Sequence, residues 1–172
     1  MSIRPKFPDF KPMELVDRQL IQGIISKYQP QTSEWTFTNL FMWRSHYHFQ
    51  WSIDKDCLTM ICKDDNNEFY AMQPIGPPSR QEVVLRVLKW LRDEKHAKDP
   101  RIEKADERLT KELHGVHGLS IEPTRDHFDY VYLRENLMQL AGNKYRAKRN
   151  HINKLLRTYE FSYIPLSGEH IE

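Results

Sequence analysis

Cysteine, glycine and long apolar runs are all scarce in this chain of 172 residues. Cys57 and Cys62 lack the C-x-x-C spacing and the second pair of a structural zinc site, and two cysteines make no disulfide scaffold. No window approaches the roughly 18 consecutive apolar residues of a membrane span, and the first residues contain no apolar signal region. We therefore predict a cytoplasmic protein that works in a reducing compartment.

The composition is that of a folded chain. Hydrophobic residues make up 39% and charged residues 29%, and the 6 glycines and 10 prolines exclude collagen-like and low-complexity classes. The length suits one domain, because domains cluster around roughly 100–150 residues. The formal net charge of +2 favours no particular partner, so any electrostatic argument depends on where the charges lie.

Hydrophobic periodicity predicts an α+β fold. Predicted helices cover 14–25, a segment capped by Ser33, a segment opened by a capping box of Ser79 and Glu82, 106–113, 135–141 and 143–159. Predicted strands cover 47–53, 57–62, 69–72, 101–103, 127–133 and 161–164. The first three strands form a meander. The fifth is apolar on both faces, which predicts a central strand.

A rigid turn is predicted at the junction Ile75-Gly-Pro-Pro-Ser79, where a strand meets a helix. Such junctions bind phosphates when consecutive backbone N–H groups point at the ligand. Pro77 and Pro78 have no N–H group, so a phosphate loop is disfavoured here.

Positive charge is concentrated in residues 143–157. This segment holds six basic residues and no carboxylate, so the rest of the chain carries a formal charge of −4. On a helical wheel its apolar residues form one stripe, with Lys148 inside the stripe and Lys144 and Arg149 at its edges. Arg146 points to solvent. Three interpretations stay open: a solvated basic face with Lys148 snorkelling, an anion site made by Lys144, Lys148 and Arg149, or a buried ion pair.

Asp129 is the one charged residue within the apolar segment 128–133. It either accepts backbone hydrogen bonds near a strand end or acts as a functional carboxylate that orients a substrate amine or pairs with Lys148. His46 and His48 share one predicted strand face, but no third ligand follows at a useful spacing, so we predict no metal site.

Two segments resemble a known family. Ser33-Glu-Trp-Thr-Phe-Thr-Asn-Leu-Phe-Met-Trp-Arg44, together with Phe128-Asp-Tyr-Val-Tyr-Leu133 running to Gly142-Asn-Lys-Tyr-Arg-Ala-Lys-Arg-Asn-His-Ile-Asn153, is similar to the phosphatidylglycerol lysyltransferase C-terminal family of bacterial proteins. The resemblance implies a GNAT-like acyltransferase fold, in which a mixed sheet is flanked by helices, and this agrees with the α+β class predicted from periodicity. It also implies transfer of an aminoacyl group from aminoacyl-tRNA to a lipid or peptide acceptor.

The resemblance also bears on domain organisation. Relatives usually carry two GNAT-like modules in tandem. We expect residues 1–142 to form an N-terminal module and residues 143–172 to form a basic connecting helix and the start of a second module, the rest of which is expected to be missing. The Gln/Arg-x-x-Gly-x-Gly/Ala loop of acetyl-CoA-dependent relatives is missing, so acetyl-CoA is disfavoured and no cofactor is expected.

On the model of aminoacyl transfer, the tRNA acceptor end or a phospholipid headgroup brings phosphates to the basic segment. The candidate catalytic residues are Lys148, beside the oxyanion, and Asp129. The candidate substrate- and phosphate-binding residues are Lys144, Arg146, Arg149, Tyr130 and Tyr132. The alternative is a non-catalytic module that binds RNA or an anionic membrane surface through the basic helix, which would place the protein at the membrane periphery.

Overall fold

The computed structural model describes residues 4–170. The chain divides into two compact units, a first unit of Met1–Asp129 and a second unit of Tyr130–Glu172. The first three residues of the predicted N-terminal segment and the last two of the predicted 143–172 module lie outside the described residues. The predicted domain boundary after residue 142 stays a prediction.

The first unit is built around a five-stranded mixed sheet in the order β1-β2-β3-β4-β5. Neighbours from β1 to β4 run antiparallel, and β4 and β5 are parallel. With helices around it, the sheet confirms the predicted α+β class and the mixed sheet flanked by helices. The strands are β1 (Lys11–Pro12), β2 (Gln50–Asp54), β3 (Cys57–Lys63), β4 (Phe69–Met72) and β5 (Ile102–Glu103).

Helices of both units lie between and after the strands. Those of the first unit are α1 (Arg18–Tyr28), α2 (Phe37–Trp43), α3 (Gln81–Asp93) and α4 (Glu107–Leu113). Those of the second unit are α5 (Arg134–Gln139) and α6 (Arg146–Thr158). Short 3-10 segments cover Leu15–Asp17, Arg125–His127, Asn143–Tyr145 and Gly168–His170.

The predicted meander of three strands is confirmed as β2, β3 and β4. Central β3 is buried over six of its seven residues, so side chains from its two faces enter two different apolar clusters. Cys62 packs in one cluster and Cys57 in the other, because a separation of five residues points them to opposite faces of the sheet. The two thiols therefore cannot form a disulfide with each other. Burial raises the pKa of the Cys57 thiol to about 11.

The predicted inward face of α3 is confirmed, since Val83, Val84, Val87 and Leu91 are all buried. The predicted capping box is wrong. Arg80 is the N-cap residue and makes no side-chain cap, and Ser79 adopts a left-handed φ of 69°.

Arg80 determines this turn instead. Its side chain is 8% exposed, and its guanidinium binds Glu112 at 2.7 Å and donates to the Pro74 carbonyl at 3.3 Å. A buried guanidinium needs a carboxylate and acceptors around it. These contacts hold the turn between Pro74 and Arg80 in place, which agrees with the rigid turn predicted for this junction.

Two predicted strands are absent from the described part of the chain. Residues 127–133 form the end of a 3-10 segment and extended chain without strand pairing, and 161–164 have no regular structure. Both segments are exposed, with Val131 at 91% and Tyr163 at 93%. An apolar segment becomes a central strand only when other elements cover both faces and pair with both edges. Among residues 4–170 no strand pairs with either segment.

We predict that Gly76→Ala destabilises the protein by about 1–3 kcal/mol, because an added methyl group overpacks the turn. A Cβ at this position would lie 2.4 Å from the Cys57 Sγ and 2.8 Å from the Cys57 Cα, and the backbone atom cannot move aside. Gly23→Ala in α1 is the control, since its Cβ meets nothing within 4 Å. The control should be neutral or stabilising by about 0.5–1 kcal/mol. Urea unfolding measures both; equal midpoints for the two variants would contradict the packing argument.

Candidate functional site

The basic segment of the sequence forms the predicted helix, preceded by a short 3-10 turn. Gly142, with φ of 83°, separates α5 from the 3-10 turn Asn143–Tyr145, and α6 follows without a break over 13 residues. Tyr145 is buried at 4%, whereas no residue of α6 itself is buried. The helix therefore presents its charged side chains to the surface.

Arg149 has a structural partner. Its Nη1 donates to the Leu140 carbonyl and, at 2.7 Å, to the Gly142 carbonyl. Both acceptors belong to residues with positive φ, 48° for Leu140 and 83° for Gly142. Leu140 is the C-cap residue of α5, and the last carbonyls of a helix lack intrahelical partners, so a cation stabilises this end. Gly142 is the N-cap residue of the following 3-10 turn, and its carbonyl also accepts a hydrogen bond from the Tyr145 N–H. Arg149 therefore caps α5, which leaves less of its charge for a ligand.

Lys144 and Lys148 both lie over aromatic rings. The Lys144 Nζ is 4.9 Å from the centroid of Tyr145, and the Lys148 Nζ is 5.6 Å from that of Tyr132. Such contacts contribute only about 0.5–1 kcal/mol at exposed sites and leave ammonium N–H donors available on the side away from the ring. Tyr130, 85% exposed, and Arg146 make no such contact among the described residues.

The expectation that Lys148 faces a buried stripe is wrong. Lys148 is exposed, and so is the stripe itself, with Ile152 at 46%, Leu155 at 43% and Leu156 at 61%. The wheel correctly groups these residues on one side, but periodicity does not tell whether another element covers that side. The buried ion pair considered for Lys148 is therefore excluded.

A second group of cations lies on the polar side of α6. A shallow depression runs along this side, and the residues that line it are Asn150, Asn153, Lys154, Arg157 and Thr158. Amide, hydroxyl and cationic groups together suit an anion such as phosphate. Lys154 and Arg157 were counted in the basic segment but not selected as site residues. The four-residue spacing from Asn150 to Lys154 and from Asn153 to Arg157 is the signal that would have found them.

The cations of this segment lack carboxylate partners. Within residues 130–170 none of Lys144, Arg146, Lys148, Arg149, Lys154 and Arg157 forms an ion pair. In the first unit cations do have carboxylate partners. Arg101, for example, contacts both Asp64 at 2.9 Å and Glu103 at 2.7 Å. The positive potential of α6 is therefore not neutralised by side chains of its own unit.

Asp129 lies at the end of the first unit and is anchored to a distant loop. Its carboxylate accepts hydrogen bonds from the Ser33 backbone N at 3.1 Å and from the Ser33 Oγ at 2.9 Å. This matches the interpretation that it accepts backbone hydrogen bonds, although not within a strand. Ser33 was expected to cap α2, but Thr36 does so by accepting from the Asn39 N at 3.1 Å. Asp129 as a catalytic residue stays a prediction.

The two histidines do not share a strand face. His46 and His48 lie in a turn before β2, and His48 has a left-handed φ of 51°. Across residues 4–170 no group of three or more His, Cys, Asp and Glu side chains could hold a metal ion. None of the helices formed by these residues is both long and apolar enough to cross a bilayer.

We predict that Arg149→Ala weakens the α5–α6 junction by about 1–2 kcal/mol, because two carbonyls lose a charged donor. Amide hydrogen exchange of residues 136–150 measures the effect as faster exchange. Arg146→Ala removes the same charge from an exposed side chain without such partners, so it should leave exchange unchanged. Equal exchange rates in the two variants would show that Arg149 is not a cap.

The chain is similar to one known protein family and to a solved structure. The sequence model of the family "phosphatidylglycerol lysyltransferase, C-terminal" matches residues 25–172, which is most of the chain. The crystal structure of a conserved protein of unknown function from Bacteroides thetaiotaomicron is similar at 27% identity and a TM-score of 0.72. The match covers 87% of this chain and 50% of that one, so this chain spans half the length of the Bacteroides protein. Among curated proteins no sequence matches.

Proposed function

Because the chain belongs to the phosphatidylglycerol lysyltransferase C-terminal family, we propose that it serves in acyl transfer, moving an aminoacyl group from aminoacyl-tRNA to a lipid or peptide acceptor. We also propose that the active protein combines residues 1–142 and the basic helix with a second GNAT-like module. The half-length coverage of the Bacteroides protein supports this arrangement.

The observation that carries the proposal is the unneutralised charge of α6. Six cations lie within 15 residues that contain no carboxylate, and they are exposed or half-buried. The proposed donor brings phosphates in its tRNA backbone, and a lipid acceptor brings one in its headgroup. Binding phosphates to lysine and arginine releases counterions, which supplies much of the affinity for nucleic acid. Lys154 and Arg157 beside two asparagines offer charge-assisted hydrogen bonds to such a group.

The transfer needs the attacking group positioned and the tetrahedral oxyanion stabilised, and a cation beside that oxygen can stabilise it. The acceptor hydroxyl or amine attacks the ester carbon of aminoacyl-tRNA, a tetrahedral oxyanion forms, and the ester C–O bond to the ribose then breaks. The acceptor loses a proton and the ribose oxygen gains one, so no cofactor is consumed. We assign Lys148 to the oxyanion because its ammonium is exposed and its Tyr132 contact leaves its donors available. Lys144, Arg146 and Arg149 with Tyr130 and Tyr132 are assigned to substrate binding.

We predict that the protein joined to a second GNAT-like module transfers labelled lysine from lysyl-tRNA to phosphatidylglycerol vesicles, and that Lys148→Met in that protein reduces the rate about 10²-fold or more. Lipid extraction of the label measures the product. Lys27→Met is a matched control, because the Lys27 Nζ also lies over a tyrosine ring, that of Tyr28 at 4.9 Å, on a helix of the first unit. Transfer by Lys148→Met at the rate of the control would remove Lys148 from the mechanism.

A second function, binding of RNA without catalysis, is favoured by the exposure of the α6 cations. It predicts tRNA binding that weakens steeply with salt, with no transfer of label. Lys154→Gln combined with Arg157→Gln should then lower the slope of log Kd against log salt by about 2, because each substitution leaves one phosphate without its cation. A slope unchanged by the double variant would exclude the polar side of α6 as the binding surface.

A further inference from the structure

Three buried polar atoms of the first unit have no hydrogen-bond partner among residues 4–170. Two belong to the loop between α1 and α2, namely Glu34 Oε2 and Trp35 Nε1. The third is the Nε2 of Gln73, the residue directly after β4. Buried polar groups in folded proteins are nearly always hydrogen-bonded, so each unpartnered atom requires a physical explanation.

Gln73 connects the end of β4 to the segment that follows β5. Its backbone N donates to the Glu103 carbonyl at 3.2 Å, which continues the pairing of the two parallel strands. Its side-chain oxygen accepts from the Asp106 N at 3.0 Å. The Gln73 side chain therefore lies at the carboxyl ends of β4 and β5, against residues 103–106.

The loop between α1 and α2 contacts the same two strand ends. The Glu34 carboxylate accepts a hydrogen bond from the Lys104 Nζ at 2.8 Å through its Oε1, and Lys104 directly follows β5. Trp35 packs in the same apolar cluster as Met72, the last residue of β4. Glu34, Trp35 and Gln73 therefore lie together at this edge of the sheet.

The hydrogen-bonding role of each unpartnered atom is determined. Only the amide oxygen of Gln73 can accept from the Asp106 N–H, so its unpartnered atom is the NH₂ group. The Trp35 indole N–H only donates, and the Glu34 carboxylate, paired with Lys104, only accepts. Gln73 is 0% and Trp35 3% exposed, so bulk water does not satisfy either donor. The site offers two N–H donors beside one carboxylate oxygen.

This set of groups is complementary to an ammonium group next to a carbonyl group. A carbonyl or carboxylate oxygen accepts from the two N–H donors, and the ammonium donates to the Glu34 Oε2. A lone anion would face the charge of Glu34, and a lone cation would leave both N–H groups unpaired. α-Amino acids and their esters carry an ammonium and a carbonyl on adjacent carbons.

We propose that the first unit binds the ammonium and carbonyl groups of an α-amino acid, free or as an aminoacyl ester, at Glu34, Trp35 and Gln73. The ligand enters on the side of Glu34 and Lys104, whose side chains are 20% and 26% exposed. Lys104 occupies one oxygen of the Glu34 carboxylate and leaves the other for the ammonium. No residue of α6 takes part, so the inference is independent of the phosphate binding proposed above.

The indole N–H signals of the four tryptophans test the site by nuclear magnetic resonance. The chain is prepared with isotope-labelled tryptophan, and Trp35→Phe identifies the Trp35 signal. Glycine methyl ester, at about pH 6 where its amino group is protonated, should shift that signal saturably and leave the other three unchanged. Methyl acetate has the ester carbonyl but no ammonium, so it should cause no shift.

Free glycine separates the two sources of the ligand. A shift with free glycine identifies a site for free amino acids, whereas a shift with the ester alone identifies a site for an aminoacyl group. No shift of the Trp35 signal with either compound, or an equal shift with methyl acetate, would overturn the proposal and leave the three atoms as partners of buried water only. Binding of tRNA to α6 would be unaffected by that outcome.

A pair of variants separates ligand recognition from a structural role. Glu34→Gln and Lys104→Gln break the same ion pair, but only the first removes the carboxylate that the ammonium needs. Glu34→Gln should weaken binding of glycine methyl ester about tenfold or more, because a charged acceptor is lost, and Lys104→Gln should retain binding. An equal loss in both variants would contradict the role of Glu34. If Glu34→Gln does not fold, the titration of the unsubstituted chain still decides.

Discussion

The functional interpretation of this protein depends on the positive charge that is concentrated in one helix, α6. The segment 143–157 carries +6 and the rest of the chain −4. A cluster of like charges repels itself in the folded state, and nearby carboxylates normally offset that repulsion. The second unit offers α6 no such partner among residues 130–170, so an anion from outside the unit would relieve the repulsion and be bound for that reason.

In the first unit, by contrast, charged side chains form ion pairs and hydrogen bonds with each other. Asp17, at 0% exposure, accepts hydrogen bonds from the Lys11 ammonium at 3.0 Å and the indole N–H of Trp51 at 3.1 Å. Lys104 binds Glu34 at 2.8 Å. These groups are paired at the edges of a packed sheet, where burial makes an unpaired charge costly. The contrast is that these charges of the first unit are paired within it, whereas the cations of α6 have no carboxylate partner among residues 130–170.

Sequence patterns predicted well the elements whose burial is decided locally. The alternation around Trp51 and the inward face of α3 match the structure because each places apolar side chains on one face of one element. The predicted strands at 127–133 and 161–164 are wrong for the converse reason. A strand needs partners at its edges, and apolar residues alone do not show whether partners exist.

Some properties of the candidate site could be predicted from the sequence and others could not. The position and charge of α6 follow from the sequence, because they depend only on helical spacing. The role of Arg149 as a cap does not follow from the sequence. It depends on the carbonyls of two residues with positive φ, Leu140 and Gly142, which lie just after α5. The exposure of Lys148 could not be predicted from the sequence either, because a helical wheel shows which residues share a face and not what covers that face.

The central claim is that α6 is where this protein holds phosphate groups. Hydrogen–deuterium exchange with and without a phosphate-bearing ligand, a tRNA acceptor-stem hairpin, tests it most directly. The account predicts slower exchange at the amides of residues 146–158 and no change in the sheet of the first unit. Protection confined to the first unit, or bound hairpin without any protection of α6, would contradict it.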